Sequence, residues 1–102
     1  MTEFNFYRIY YYSAPQYVWD VRVDLFMNTT AVGTLLFMKK GQSIPVNSTS
    51  SGLPRLYYSV EHFPALSTIL REEKPLFINL NAANGIGTIS TSDEPVGEQE
   101  GV

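Results

Sequence analysis

The chain has 102 residues, 44% of them apolar, with 7 basic and 10 acidic side chains, one histidine and no cysteine, for a formal net charge of −3. Such a length fits one domain with a modest core, and the missing cysteine excludes disulfides, thiol catalysis and thiolate metal sites. Residues 1–92 carry every Lys and Arg against six acids, while 93–102 carry four acids, so a nearly neutral domain with an acidic, flexible tail is expected.

A neutral body is a poor platform for strong phosphate binding, which needs clustered cations. The N-terminus lacks a basic start followed by an aliphatic run, so no signal peptide is read there. No stretch reaches the roughly 18 apolar residues of a membrane helix. A cytoplasmic location without a membrane partner is the expectation. Asn28-Thr29-Thr30 and Asn47-Ser48-Thr49 match the glycosylation sequon and are read as chance matches.

Aromatic residues crowd the start: Phe4, Phe6, Tyr7, Tyr10, Tyr11, Tyr12, Tyr17 and Trp19. From Phe4 to Tyr12 both alternating faces are apolar, which predicts one strand covered on both sides. Ser13-Ala14-Pro15-Gln16 breaks it. From Tyr17 to Phe26 the alternation is clean, with Tyr17, Trp19, Val21, Val23 and Leu25 on a core face and Asp20, Arg22 and Asp24 on the other. Asn28-Thr29-Thr30 is a turn, and Ala31 to Met38 a third strand. Pro45 to Pro54 reads as a long loop, and Arg55 to Val60 as a fourth strand.

One helix follows. Pro64 suits its first turn, Phe63, Leu66, Ile69 and Leu70 make one apolar face, and Pro75 stops it. Leu76 to Leu80 and Ile86 to Thr91 form a hairpin around Asn84-Gly85. The fold class is α+β: an antiparallel sheet of five to six strands (β-β-β-β-α-β-β) with one helix packed on one face, all within 1–92. One helix cannot cover so many strands, which points to a second copy of the chain over the remainder.

No catalytic group set appears, and no cofactor-binding pattern. His62 has no second ligand at suitable spacing and reads as a capping or surface histidine. Asp20 and Asp24 are roughly 13 Å apart along a strand, too far for paired-carboxylate chemistry. Gly85-Ile86-Gly87 opens a strand, not a helix, so it is a turn rather than a phosphate cradle. The Ser48 to Ser51 run is loop composition.

Arg8, Arg22 and Arg55 fall on three different strands. If those strands share a sheet face, they line a groove beside Tyr10, Tyr12 and Tyr17, a combination used by binders of single-stranded nucleic acid. The plainer reading is that these tyrosines fill a core.

Leu56-Tyr57-Tyr58, Phe63-Pro64, Leu70-Arg71-Glu72-Glu73-Lys74-Pro75-Leu76 and Glu94-Pro95-Val96-Gly97-Glu98 resemble a small, uncharacterised bacterial single-domain family with LRNEKP-like and EPVGE-like motifs. Glu72 stands where that family's pattern has Asn. The resemblance carries no activity and no site residue. The order of four strands and a helix is similar to the Whirly and Pur-alpha type of single-stranded nucleic-acid regulator, which implies a dimer. The leading expectation is a non-enzymatic, homodimeric interaction module. A single-stranded DNA- or RNA-binding domain is the second, and a small-ligand or enzymatic α+β domain the third.

Overall fold

The computed structural model describes residues 1–93 and Val96. The acidic tail and the Glu94–Glu98 motif lie, apart from Asp93 and Val96, outside the described residues. Eight strands and one helix follow the order β1 (Thr2–Phe4), β2 (Phe6–Tyr11), β3 (Trp19–Met27), β4 (Thr30–Met38), β5 (Ser48–Ser50), β6 (Leu53–Ser59), α1 (Phe63–Glu72), β7 (Leu76–Asn81) and β8 (Ile86–Thr91). They form a five-stranded sheet, β2-β3-β4-β6-β5, and a three-stranded sheet, β1-β7-β8.

The α+β class, the helix and the final hairpin match the sequence reading. The single strand over Phe4–Tyr12 does not. The chain switches sheets at Asn5: β1 pairs with β7, whereas β2 pairs with β3. Asn5 anchors the switch, its Oδ1 accepting from the Asn28 N–H at 2.7 Å and its Nδ2 donating to Asn28 Oδ1 at 3.0 Å. Asn28 itself has a positive φ of 56°, a backbone state that asparagine tolerates. Nor is Pro45–Pro54 a continuous loop. Ser48–Ser50 and Leu53–Ser59 pair around Ser51-Gly52, which take φ of 53° and 79°. The expectation of antiparallel neighbours also fails once, because β4 and β6 are parallel. The connection through residues 39–52 is long enough to carry the chain across β6, place β5 outside it and return.

One face of the larger sheet is the core face. Val21, Val23, Leu25, Leu35, Phe37 and Leu56 meet Phe63, Leu66 and Leu70 of α1 and Phe4, Leu76 and Ile78 of the smaller sheet. Helix and second sheet thus share the cover that the sequence reading gave to a helix and a second chain. Close sheet contact needs small residues: a Cβ on Gly33 would stand 2.7 Å from Ile78 Cδ1.

The helix follows a short 3-10 turn (Val60–His62), where the Ser59 hydroxyl accepts from the Glu61 N–H. Pro64 sits in the first turn of α1, and the Glu73 N–H closes its last turn on the Ile69 carbonyl.

Candidate functional site: the outer sheet face and the open β2 edge

Strand register decides which side chains share the outer face. Across β2, β3, β4 and β6 one row runs Tyr10, Arg22, Leu36, Tyr57. The next runs Arg8, Asp24, Thr34, Arg55 and ends on Ser48 of β5. Arg8, Arg22 and Arg55 therefore do share a face, with Arg8 and Arg55 three strand spacings apart, about 14 Å. Leu36, between Arg22 and Tyr57, is 1% exposed, so the floor of this face is sealed.

Tyr12 and Tyr17 join the same face through a bulge. Trp19 pairs with Met38 and Val21 with Phe37, leaving Asp20 as the extra residue. The bulge turns Trp19 away from the core face on which its alternation had placed it. Met38 belongs to the side of Leu36, and Trp19 has no place in the core cluster. Rings of Tyr12 and Tyr17 meet edge-on at 4.8 Å, and Tyr17 and Trp19 lie tilted at 5.4 Å. Tyr12 also meets Trp19 at 6.0 Å. Trp19 Nε1 is buried with no hydrogen-bond partner. Regular alternation is all a sequence displays, so the bulge was hidden from it.

Arg8, Arg22 and Lys39 are already engaged. The Arg22 guanidinium lies 4.4 Å from the centre of the Tyr10 ring, and its Nη2 donates to Asp24 Oδ2 at 3.2 Å. Arg22 Nε stands 3.2 Å from Asp24 Oδ1, yet makes no hydrogen bond. The pair is thus one hydrogen bond plus a close charge contact. The two side chains keep 34% and 22% of their exposure, so the ion pair is worth at most about 1 kcal/mol; its main effect is to fix the guanidinium over the ring. Arg8 lies over Phe26 at 5.4 Å and donates to the Tyr10 hydroxyl at 3.3 Å, a bond that raises its pKa further above the ordinary arginine value. Lys39 pairs with Asp20 at 2.8 Å. Arg55 Nε is buried without a partner.

The β2 edge is the second element of the site. The Tyr12 N–H donates to the Asp20 carbonyl at 2.8 Å. In an antiparallel ladder bonded and non-bonded pairs alternate, so Arg8, Tyr10 and Tyr12 turn their backbone groups to β3. Tyr7, Ile9 and Tyr11 turn theirs to the open edge. The side chains of these three residues lie on the core-face side of β2 but beyond its cover, at 37%, 37% and 70% exposure. Expected cover on both sides of this strand is absent: on the outer face Phe6 is 58% exposed. Tyr11 meets the start of the helix, edge-on to Phe63 at 5.5 Å.

Two hollows flank this edge and share Tyr7. One, of about 580 Å³, lies on the helix side between Phe4, Leu70, Arg71 and Pro75. The other, of about 470 Å³, lies on the outer side among Phe6, Arg8 and Phe26. A third, open hollow of about 320 Å³ holds His62 with Tyr58, Leu66, Ile69 and Ile89. No carboxylate lines that third hollow, and His62 is an exposed helix-cap residue without a side-chain cap bond.

Among the described residues no group of three or more His, Asp and Glu side chains could hold a metal ion, and no helix is long and apolar enough to cross a membrane. Comparison of the chain with protein-family models, curated proteins and solved structures gives no match.

Proposed function

We propose that the chain is a non-enzymatic interaction module that works as a homodimer joined at the β2 edge. The observation that carries this reading is β2 itself: an edge strand paired on one side only, with large apolar side chains exposed on both faces. Natural edges are usually kept short, charged or interrupted by proline, because an open apolar edge pairs with another strand. The edges at β1 and β5 follow that rule with three residues each, while β8, as long as β2, is the more polar edge, rich in Ser, Thr and Gly. Size-exclusion chromatography with light scattering is expected to give twice the mass of one chain, and a strict monomer at all concentrations removes the reading.

A second reading is favoured by one specific observation: Arg8, Arg22, Arg55, Tyr10, Tyr12 and Tyr17 stand on one sheet face. That face is suited to single-stranded DNA or RNA, with rings stacking on bases and arginines following phosphates. Asp20 and Asp24 compete for the cations, which makes it the weaker reading. Three phosphate contacts predict that log K falls by about 2 per decade of salt. Trp19, the sole tryptophan, reports such binding directly. No change in its emission on titration with oligonucleotides at low salt excludes it.

A further inference from the structure

We infer that the partner at the β2 edge is a second copy of this chain in one register: antiparallel, with its two-fold axis at Ile9. This inference rests on the homodimer reading above and adds its geometry. A two-fold pairing of β2 with itself must centre on one residue or between two. The outward backbone groups belong to Tyr7, Ile9 and Tyr11, so a bonded pair must join outward residues. Centring on Ile9 sets it opposite the partner's Ile9, and Tyr7 opposite the partner's Tyr11. Every outward N–H and C=O of the strand then finds a backbone partner.

The same register matches side chains on both faces. On the outer side Arg8 meets the partner's Tyr10, extending a cation–ring contact that each chain already makes between Arg22 and Tyr10. On the helix side Tyr7 meets the partner's Tyr11. Tyr11 is the most exposed ring of the strand, at 70%. The hollow of about 580 Å³ beside Tyr7, floored by Phe4, Leu70 and Pro75, is room enough for a phenol ring. Strand addition of this kind takes affinity from the backbone and specificity from pockets for alternate side chains. An axis at Arg8 is disfavoured on two grounds. It sets like charges directly opposite, and it places Tyr11 opposite the partner's Asn5, whose N–H is already bonded to the Phe26 carbonyl, so fewer outward groups are paired.

The edge joins two five-stranded sheets into one, and their outer faces become continuous. The aromatic and arginine rows of Tyr10 and Arg8 are then doubled about the axis.

Backbone hydrogen exchange at low and high protein concentration tests the register without any substitution. Amides of Tyr7, Ile9 and Tyr11 should gain protection as the dimer forms, while those of Arg8, Tyr10 and Tyr12 stay unchanged. Ile9→Cys, in a chain otherwise free of cysteine, should give a covalent dimer on mild oxidation, since directly opposed residues lie at disulfide distance. Ile9→Lys, at an exposed position, should keep the fold and weaken dimerisation by about tenfold or more. A dimer by light scattering with no cross-link at position 9 and no alternating protection overturns the register while leaving the homodimer reading intact. A monomer at every concentration overturns both.

Discussion

Gly87 of β8 lies directly against the side chain of Leu56 in β6, so close that a Cβ at position 87 would collide with one Leu56 methyl and press on the other. Leu56 is 1% exposed, within the core cluster. This contact sets the distance between the two sheets. Gly87→Ala is therefore expected to cost about 1–3 kcal/mol, the range for overpacking a filled core. Leu56→Ala alone should cost about 2–5 kcal/mol through its cavity. In the double variant the new methyl occupies part of that cavity, so the losses should fall short of additive by at least about 0.5 kcal/mol. Urea unfolding of the four proteins checks the cycle. Strict additivity would mean that the sheets part at this point rather than repack.

Asn47 makes a second link between the sheets, by polar means. Its Oδ1 accepts from the Tyr57 N–H of β6 at 2.8 Å, and its Nδ2 donates to the Gly85 carbonyl of the β7–β8 turn at 3.0 Å. Asn47→Ala should cost about 1–3 kcal/mol by stranding two half-buried backbone groups. Asn47→Asp keeps the bond to Tyr57 but sets a carboxylate against a carbonyl, so part of the loss should persist above the carboxyl pKa and shrink below it. Denaturation midpoints at pH 7 and about pH 3 separate the two variants.

What was legible in the sequence follows from period and punctuation. The helix stood out through Phe63, Leu66, Ile69 and Leu70 between two prolines, and the last hairpin through Asn84-Gly85. What failed depended on contacts distant along the chain. Nothing in the run Phe4 to Tyr12 reveals that Asn5 will bond to Asn28 and send Phe4 to a different sheet. The parallel pairing of β4 with β6 is likewise a property of topology, not of either strand. The face shared by Arg8, Arg22 and Arg55 was readable as a condition, and register met it. The placement of Trp19 was not readable, because one extra residue at Asp20 reverses the alternation.

The Tyr12, Tyr17 and Trp19 rings support one another at the end of this face, so removing one should be felt by the others. Tyr17 is 38% exposed, yet it covers a tryptophan whose Nε1 is shut off from solvent. Tyr17→Ala should reduce stability by about 1 kcal/mol and shift the Trp19 emission to the red as water reaches the indole. Tyr12→Ala should do the same to a smaller degree, because its ring centre is farther from Trp19. Emission spectra of the folded proteins at equal concentration decide it. An unshifted spectrum for Tyr17→Ala would show that the indole is sealed by Met38 and the backbone instead.

Tyr58 supplies a prediction with a defined pH window. Its ring stacks on Phe37 at 5.5 Å and 20°, and burial raises its phenol pKa above the ordinary value. The folded chain resists ionisation there, so the unfolded chain gives up its proton first as pH rises past about 10. The Tyr58 contribution is therefore fully present below about pH 10 and is lost progressively until the raised folded value is passed. Tyr58→Phe keeps the stacked ring and removes the ionising group. Its stability at neutral pH should stay within about 1 kcal/mol of the parent, because the hydroxyl is only partly buried. Between about pH 9 and pH 11 its denaturation midpoint should fall less steeply. Equal slopes for the two proteins would mean that the Tyr58 hydroxyl reaches water in the fold. In that case the stack on Phe37, rather than the desolvated phenol, is what this position contributes.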